Sequence, residues 1–165
     1  MKLTRCRLGC WILLLCITLL QSATYAESVA VNFRGTLIEP PACTINGGQP
    51  IDIDFGNVRD ELIDGQNYIQ VIKYQLNCPD AAAPLVLTLR IQGGVSEFDP
   101  TAVNTNFRDL GIRVLSDGVP LEINTPITLD IMRPPLLQAV PVKPGGSTLS
   151  PGQFAAVATL YAGYL

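Results

Sequence analysis

The last twelve residues, Phe154-Ala-Ala-Val-Ala-Thr-Leu-Tyr-Ala-Gly-Tyr-Leu165, predict one buried β-strand with no hairpin partner after it. Phe154, Ala156, Ala158, Leu160, Ala162 and Tyr164 fall on one side of a period-two ribbon. Ala155, Val157, Thr159, Tyr161, Gly163 and Leu165 fall on the other, so neither side is clearly polar. Because nothing follows in the sequence, a strand pairing with the later edge has to come from earlier in the chain or from another molecule. Proteins usually blunt exposed apolar edges with charge or proline. Here no Lys, Arg, Asp, Glu or Pro occurs after Pro151. The expectation is an edge built to be paired.

The other end of the sequence predicts where that pairing happens. Lys2, Arg5 and Arg7 precede a short apolar run, Cys10 to Leu20, and Thr24-Tyr25-Ala26 supplies small residues for cleavage after Ala26. Residues 1–26 therefore read as a secretory signal peptide. A lipoprotein site at Cys16 is disfavoured by the bulky Leu15 before it and the apolar Ile17 after it. No stretch approaches the roughly 20 apolar residues of a membrane span, so no stable membrane insertion is expected.

Removing the signal takes three of the eleven basic residues and none of the fourteen acidic ones. That leaves 139 residues with eight basic against fourteen acidic, a net charge of −6. This charge argues against nucleic acid as a partner and against an anionic membrane surface. The length suits one domain with a real core. Of five cysteines, Cys6, Cys10 and Cys16 leave with the signal, and Cys43 and Cys78 remain. An even pair in an oxidising compartment reads as a disulfide. The 35-residue spacing is unlike Cys-x-x-Cys, and with no histidine in the chain no zinc site or other metal is expected.

Between the ends lies a series of short strands. Ile51-Asp-Ile-Asp-Phe55 alternates cleanly, with Ile51, Ile53 and Phe55 inward. Tyr68 to Cys78 reads as one longer strand with Ile72, Tyr74, Leu76 and Cys78 on a face, and Leu85 to Ile91 alternates again. Leu110 to Leu115 leads into Ser116-Asp-Gly118, a turn signal, with Val119 to Ile123 returning and Leu136 to Val142 following. No capped helical period is found. Thirteen prolines and fourteen glycines spread between apolar runs fit an all-β sandwich.

Glu27 to Leu37 forms a second unusual strand, with Val29, Val31, Phe33, Gly35 and Leu37 on one side and Ala30, Asn32, Arg34 and Thr36 on the other. Pro40-Pro41 then ends regular pairing. One end of the chain has a strand to give, and the other has an edge to fill.

The order of several motifs resembles the chaperone–usher fimbrial subunits, or pilins, of Gram-negative bacteria. They are Phe33-Arg-Gly-Thr-Leu37, Pro40-Pro-Ala-Cys-Thr-Ile45, Ile53-Asp-Phe-Gly-Asn-Val58, Tyr74-Gln-Leu-Asn-Cys78, and a terminus with Gly152 and the penultimate Tyr164. The resemblance implies an incomplete immunoglobulin-like β-sandwich lacking its final strand, preceded by an N-terminal donor-strand extension. On this reading residues 27–42 are extension and linker and 43–165 the sandwich domain. The resemblance further implies a donor strand carrying Val29, Val31, Phe33, Gly35 and Leu37. It implies an acceptor groove lined by Gly152, Phe154, Ala158, Leu160, Ala162 and Tyr164. The implied partners are a periplasmic chaperone, an outer-membrane usher and neighbouring subunits, in a fimbrium on the cell surface that serves adhesion. The wording around Phe33 and Cys43 is similar to that of minor or tip-region subunits, such as adaptors. The extension before Phe33, six residues after cleavage, leaves a chain terminator open.

Enzymatic readings fare badly. Without histidine there is no usual Ser-His-Asp or Cys-His arrangement, and no cofactor motif occurs. Asp52 and Asp54, at i, i+2 on an alternating strand, read as a solvated face, and Asp60, Glu61 and Asp64 as a polar loop. The rival reading is a self-contained secreted β-sandwich serving adhesion or carbohydrate binding. It is weakened because the single tryptophan, Trp11, lies in the signal.

Overall fold

The computed structural model describes residues 28–37, 43–78 and 86–164. The expected signal peptide, most of the linker and Leu165 lie outside the described residues. The chain divides into two units at Ile38/Glu39, taken separately below. In the first, residues 28–37 form no strand or helix. Their side chains are exposed, Val29, Val31, Phe33 and Leu37 among them.

The described residues of the second unit form eleven strands and no α-helix. In chain order these are β1 (Thr44–Ile45), β2 (Gln70–Val71), β3 (Leu76–Asn77), β4 (Leu87–Gly93), β5 (Val95–Ser96) and β6 (Asp99–Asn104). Then come β7 (Gly111–Ser116), β8 (Val119–Pro120), β9 (Ile127–Thr128), β10 (Leu137–Val142) and β11 (Ala158–Tyr164). A six-stranded sheet runs β2-β10-β7-β6-β5 with β8 on β7, and a three-stranded sheet runs β11-β4-β9. β1 and β3 form a small pair of their own. All the pairings are antiparallel.

The two larger sheets face each other across one core. Leu87, Leu89 and Ile91 of β4 pack in the same cluster as Val103, Ile112, Val114, Leu137 and Ala139 of the larger sheet. Period-two alternation sends Ala102, Leu115, Val140 and Val142 to that sheet's other face, where they form a second buried cluster. There Arg113 meets Asp99 through two bonds to Oδ2, at 2.9 and 2.7 Å. The Asp117-Gly118 turn joins β7 to β8 with both residues at positive φ (51° and 80°), the backbone that a two-residue hairpin needs.

The all-β sandwich is the fold the sequence predicts, but several elements differ, and Ile51–Phe55, expected as a strand, forms none. The terminal strand begins at Ala158, not Phe154, and it is half-buried rather than buried: Leu160, Ala162 and Tyr164 face inward while Thr159 and Tyr161 are exposed. Only one sheet layer lies beneath it, and nothing among the described residues covers its outer face. The expected strand Tyr68–Cys78 splits, because Gln70–Val71 pairs with β10 whereas Leu76–Asn77 leaves for β1. β1, β5, β6 and β9 were not anticipated: three of them are only two residues long, and in β6 Asp99-Pro-Thr-Ala-Val-Asn104 is poor in strand-forming residues.

Candidate functional site: an open strand edge

β11 pairs with β4 along its whole length, from Ala158↔Gly93 to Tyr164↔Leu87. The direction of its remaining backbone groups follows from the bonds made by β4. The carbonyls of Leu87 and Ile91 accept the N–H groups of Leu129 and Asn124, at 2.8 and 2.7 Å, on the β9 side. Gly93 likewise exchanges two bonds with the Asn124 side chain, both 3.0 Å. Backbone groups alternate sides along a strand, so Thr88, Arg90 and Gln92 point theirs at β11, opposite Gly163, Tyr161 and Thr159. Ala158, Leu160, Ala162 and Tyr164 are therefore left with N–H and C=O groups aimed at the opposite edge. Among the described residues no strand pairs there.

The side chains of Leu160, Ala162 and Tyr164 turn the other way, into the core, where with Phe154 they form part of its half-buried rim. Ile51, Ile53, Phe55 and Cys43 belong to the same rim. Ile51–Phe55 alternates inward and outward as predicted, yet makes no backbone–backbone hydrogen bond among the described residues. The two walls meet at their ends. Tyr164 Oη lies 3.9 Å from Cys43 Sγ, and the rings of Phe55 and Phe154 are 6.0 Å apart and tilted by 37°. Two apolar segments with bare backbone edges thus flank one incompletely covered core. Such an arrangement can add an extended strand, with main-chain bonds giving affinity and alternate side chains filling the rim.

Cys43 and Cys78 form the predicted disulfide, next to the β1–β3 pair Thr44↔Asn77. On the outer face of β11, Tyr161 stacks on the Arg90 guanidinium, 5.2 Å from ring centroid to Cζ. Gly152 does not border empty space. A Cβ placed there would lie 2.9 Å from Cζ of Phe107, so that ring already fills the position. Phe107, and Asn106 beside it, contact the segment before β11 in a way that the sequence does not announce: they sit in a loop with neither alternation nor a motif.

Several of the acidic residues noted in the sequence have structural partners. Asp54 accepts the Gly56 N–H, and Asp64 accepts those of Gln66 and Asn67, which hold its carboxyl below the usual range. Lys143 holds that of Asp60 down. No group of three metal-ligating side chains occurs among the described residues.

A family model described as fimbrial protein matches residues 31–164. The chain is 32% identical to the fimbrial-like protein YfcQ of Escherichia coli (strain K12), across 92% of this chain and 95% of that one. It is 29% identical to the fimbrial adapter PapF of Escherichia coli, across 86% and 91%. The solved structure of the P pilus adaptor subunit PapF superposes with a TM-score of 0.56 at 26% identity, covering 77% of this chain and 98% of that one.

Proposed function

The chain belongs to the fimbrial protein family, and on that premise we propose how its two unusual ends are used. It is a structural pilus subunit with an immunoglobulin-like fold, assembled through a chaperone and usher and carried by way of the periplasm to the cell-surface fimbrium. Its partners are that chaperone, that usher and neighbouring subunits. Structural subunits are not an enzyme class, and we assign the chain no catalytic role. No helix among the described residues is long and apolar enough to cross a membrane. Membership of this family does not favour a self-contained sugar-binding module.

The acceptor is the edge of β11. Leu160, Ala162 and Tyr164, with Phe154, present side chains on the core rim beside a bare backbone edge; Ala158 adds backbone to that edge with an exposed side chain, and Gly152 lies at the far end. Cys43, Ile51, Ile53 and Phe55 form the facing wall. The donor is the segment carrying Val29, Val31, Phe33, Gly35 and Leu37, in an extension and linker of residues 27–42 between a signal of 1–26 and the domain of 43–165. The single observation that carries this reading is the coincidence, at Leu160 and Ala162, of apolar side chains on the core rim with unpaired main-chain groups. Burying three or four apolar side chains of an incoming strand at about 1.5–3 kcal/mol each makes a junction that is hard to reverse. Likeness to the adapter PapF favours a minor, adaptor-like place in the fibre.

The test uses neighbouring positions on opposite faces of β11. Leu160→Asp puts a charge on the rim and should abolish co-purification of the mature chain with its periplasmic chaperone. Thr159→Asp, on the exposed face, should leave co-purification intact. Equal capture of both variants would exclude the β11 edge as the acceptor.

A further inference from the structure

We propose that the loop after β6 is the end-stop of the acceptor edge: Asn106 extends the edge back to Phe154, and Phe107 prevents a strand from running beyond it. This deepens the groove reading above and rests on it. The β4 ladder ends at Gly93, opposite Ala158. Behind that point Asn106 takes the place of a strand. Its Oδ1 accepts the Ala155 N–H at 2.8 Å, its own N–H donates to the Ala155 carbonyl at 3.3 Å, and its Nδ2 donates to the Gln153 carbonyl at 3.0 Å. Asn104 donates to the Gly94 carbonyl at 2.9 Å, which places this loop on the β4 side of the terminal segment. With Ala155 turned toward Asn106, alternation turns the N–H and C=O of Phe154 toward the open edge. The acceptor edge is therefore longer than β11 itself.

Phe107 closes it. Thr105 Oγ accepts the Phe107 N–H at 2.9 Å and lies within bonding reach of the carbonyls of Phe107 and Leu110, at 3.0 and 2.9 Å. The loop is thus tied to itself, and the ring is held where a side chain at Gly152 would stand. A strand continuing past Phe154 meets this ring instead of a free pocket. The edge accepts an extended apolar segment of another subunit whose last paired residue lies opposite Phe154.

The test uses the chaperone-bound mature chain and synthetic peptides copying residues 28–37, either as they stand or lengthened at either terminus by Thr-Val pairs. On the wild type, lengthened peptides should displace the chaperone no faster than the shorter one. On Phe107→Ala they should do so about ten-fold faster, the gain from seating one more apolar side chain. Hydrogen exchange supplies the second readout. In the chain isolated after the peptide has displaced the chaperone, the amides of Phe154, Leu160 and Ala162 should be protected, and Asn106→Ala should remove protection at Phe154 alone. The same length dependence with and without the Phe107 ring, or Phe154 protection that survives Asn106→Ala, would overturn the end-stop while leaving the acceptor edge standing. If Leu160 and Ala162 are unprotected in the peptide-bound, chaperone-free wild type, the acceptor edge itself falls, and the end-stop with it.

Discussion

Asp99 shows how a charged residue earns a buried place in this sandwich. It is 8% exposed, on the face of the larger sheet turned away from the main core. Burial alone pushes its carboxyl up. The N–H and hydroxyl of Thr101, at 2.8 and 2.6 Å, and the Arg113 guanidinium outweigh burial and hold it below the ordinary value of 3.8. The folded-state value being the lower one, the network stabilises the fold fully above the unfolded-state value. That contribution is lost as pH falls through the folded-state value. Thermal melts of the chaperone complex should therefore decline below about pH 4, and Asp99→Asn should flatten that decline. The same substitution should cost about 2 kcal/mol at neutral pH, where Arg113 loses its charged partner. A pH profile identical in the two proteins would show that Asp99 does not carry this effect.

Among the elements, β1 and β3 are two residues each, too short to persist alone. The Cys43–Cys78 bridge ties them together and fixes the wall that faces β11. In the chain-entropy account, closing a loop of this length stabilises by about 4 kcal/mol. Replacing both cysteines by serine should leave an exported chain that accumulates poorly in the periplasm, measured by immunoblot of periplasmic extracts. Accumulation at the wild-type level would show that the wall stands without the bridge. The elements also show which parts of the fold the sequence revealed. β4 was legible because Leu87, Leu89 and Ile91 alternate with polar residues, and Ile51–Phe55 keeps its expected alternation of burial without forming a strand. β6 was not legible, because pairing with β7 at Ala102–Asn104 and with β5 at Asp99, rather than its residue types, makes this segment a strand. The break between β2 and β3 left no trace, since Ile72, Tyr74, Leu76 and Cys78 keep facing the core while the backbone changes sheets. At the site, the apolar edge of β11 could be read from the absence of charge and proline. Asn106 and Phe107 could not, for their role comes from contacts with Gln153, Ala155 and Gly152 far along the chain.

In the function proposed above, one molecule both receives a strand at β11 and gives one from its extension. Giving and receiving can be separated, because Val31 and Phe33 lie in the unit that ends at Ile38 and the acceptor edge lies in the other. Replacing Val31 and Phe33 together by Asp would force two unpartnered charges into an apolar groove on donation, at several kcal/mol each. The deciding measurement is reconstituted assembly of this double variant from its chaperone complex. Its thermal stability is followed alongside that of a Leu87→Asp variant, whose charge falls in the main core. The double variant should stay as stable as the wild type and still take up another subunit's extension peptide, yet fail to insert its own extension into another subunit. Destabilisation comparable to that of Leu87→Asp would contradict the account, because Val31 and Phe33 would then belong to the chain's own core.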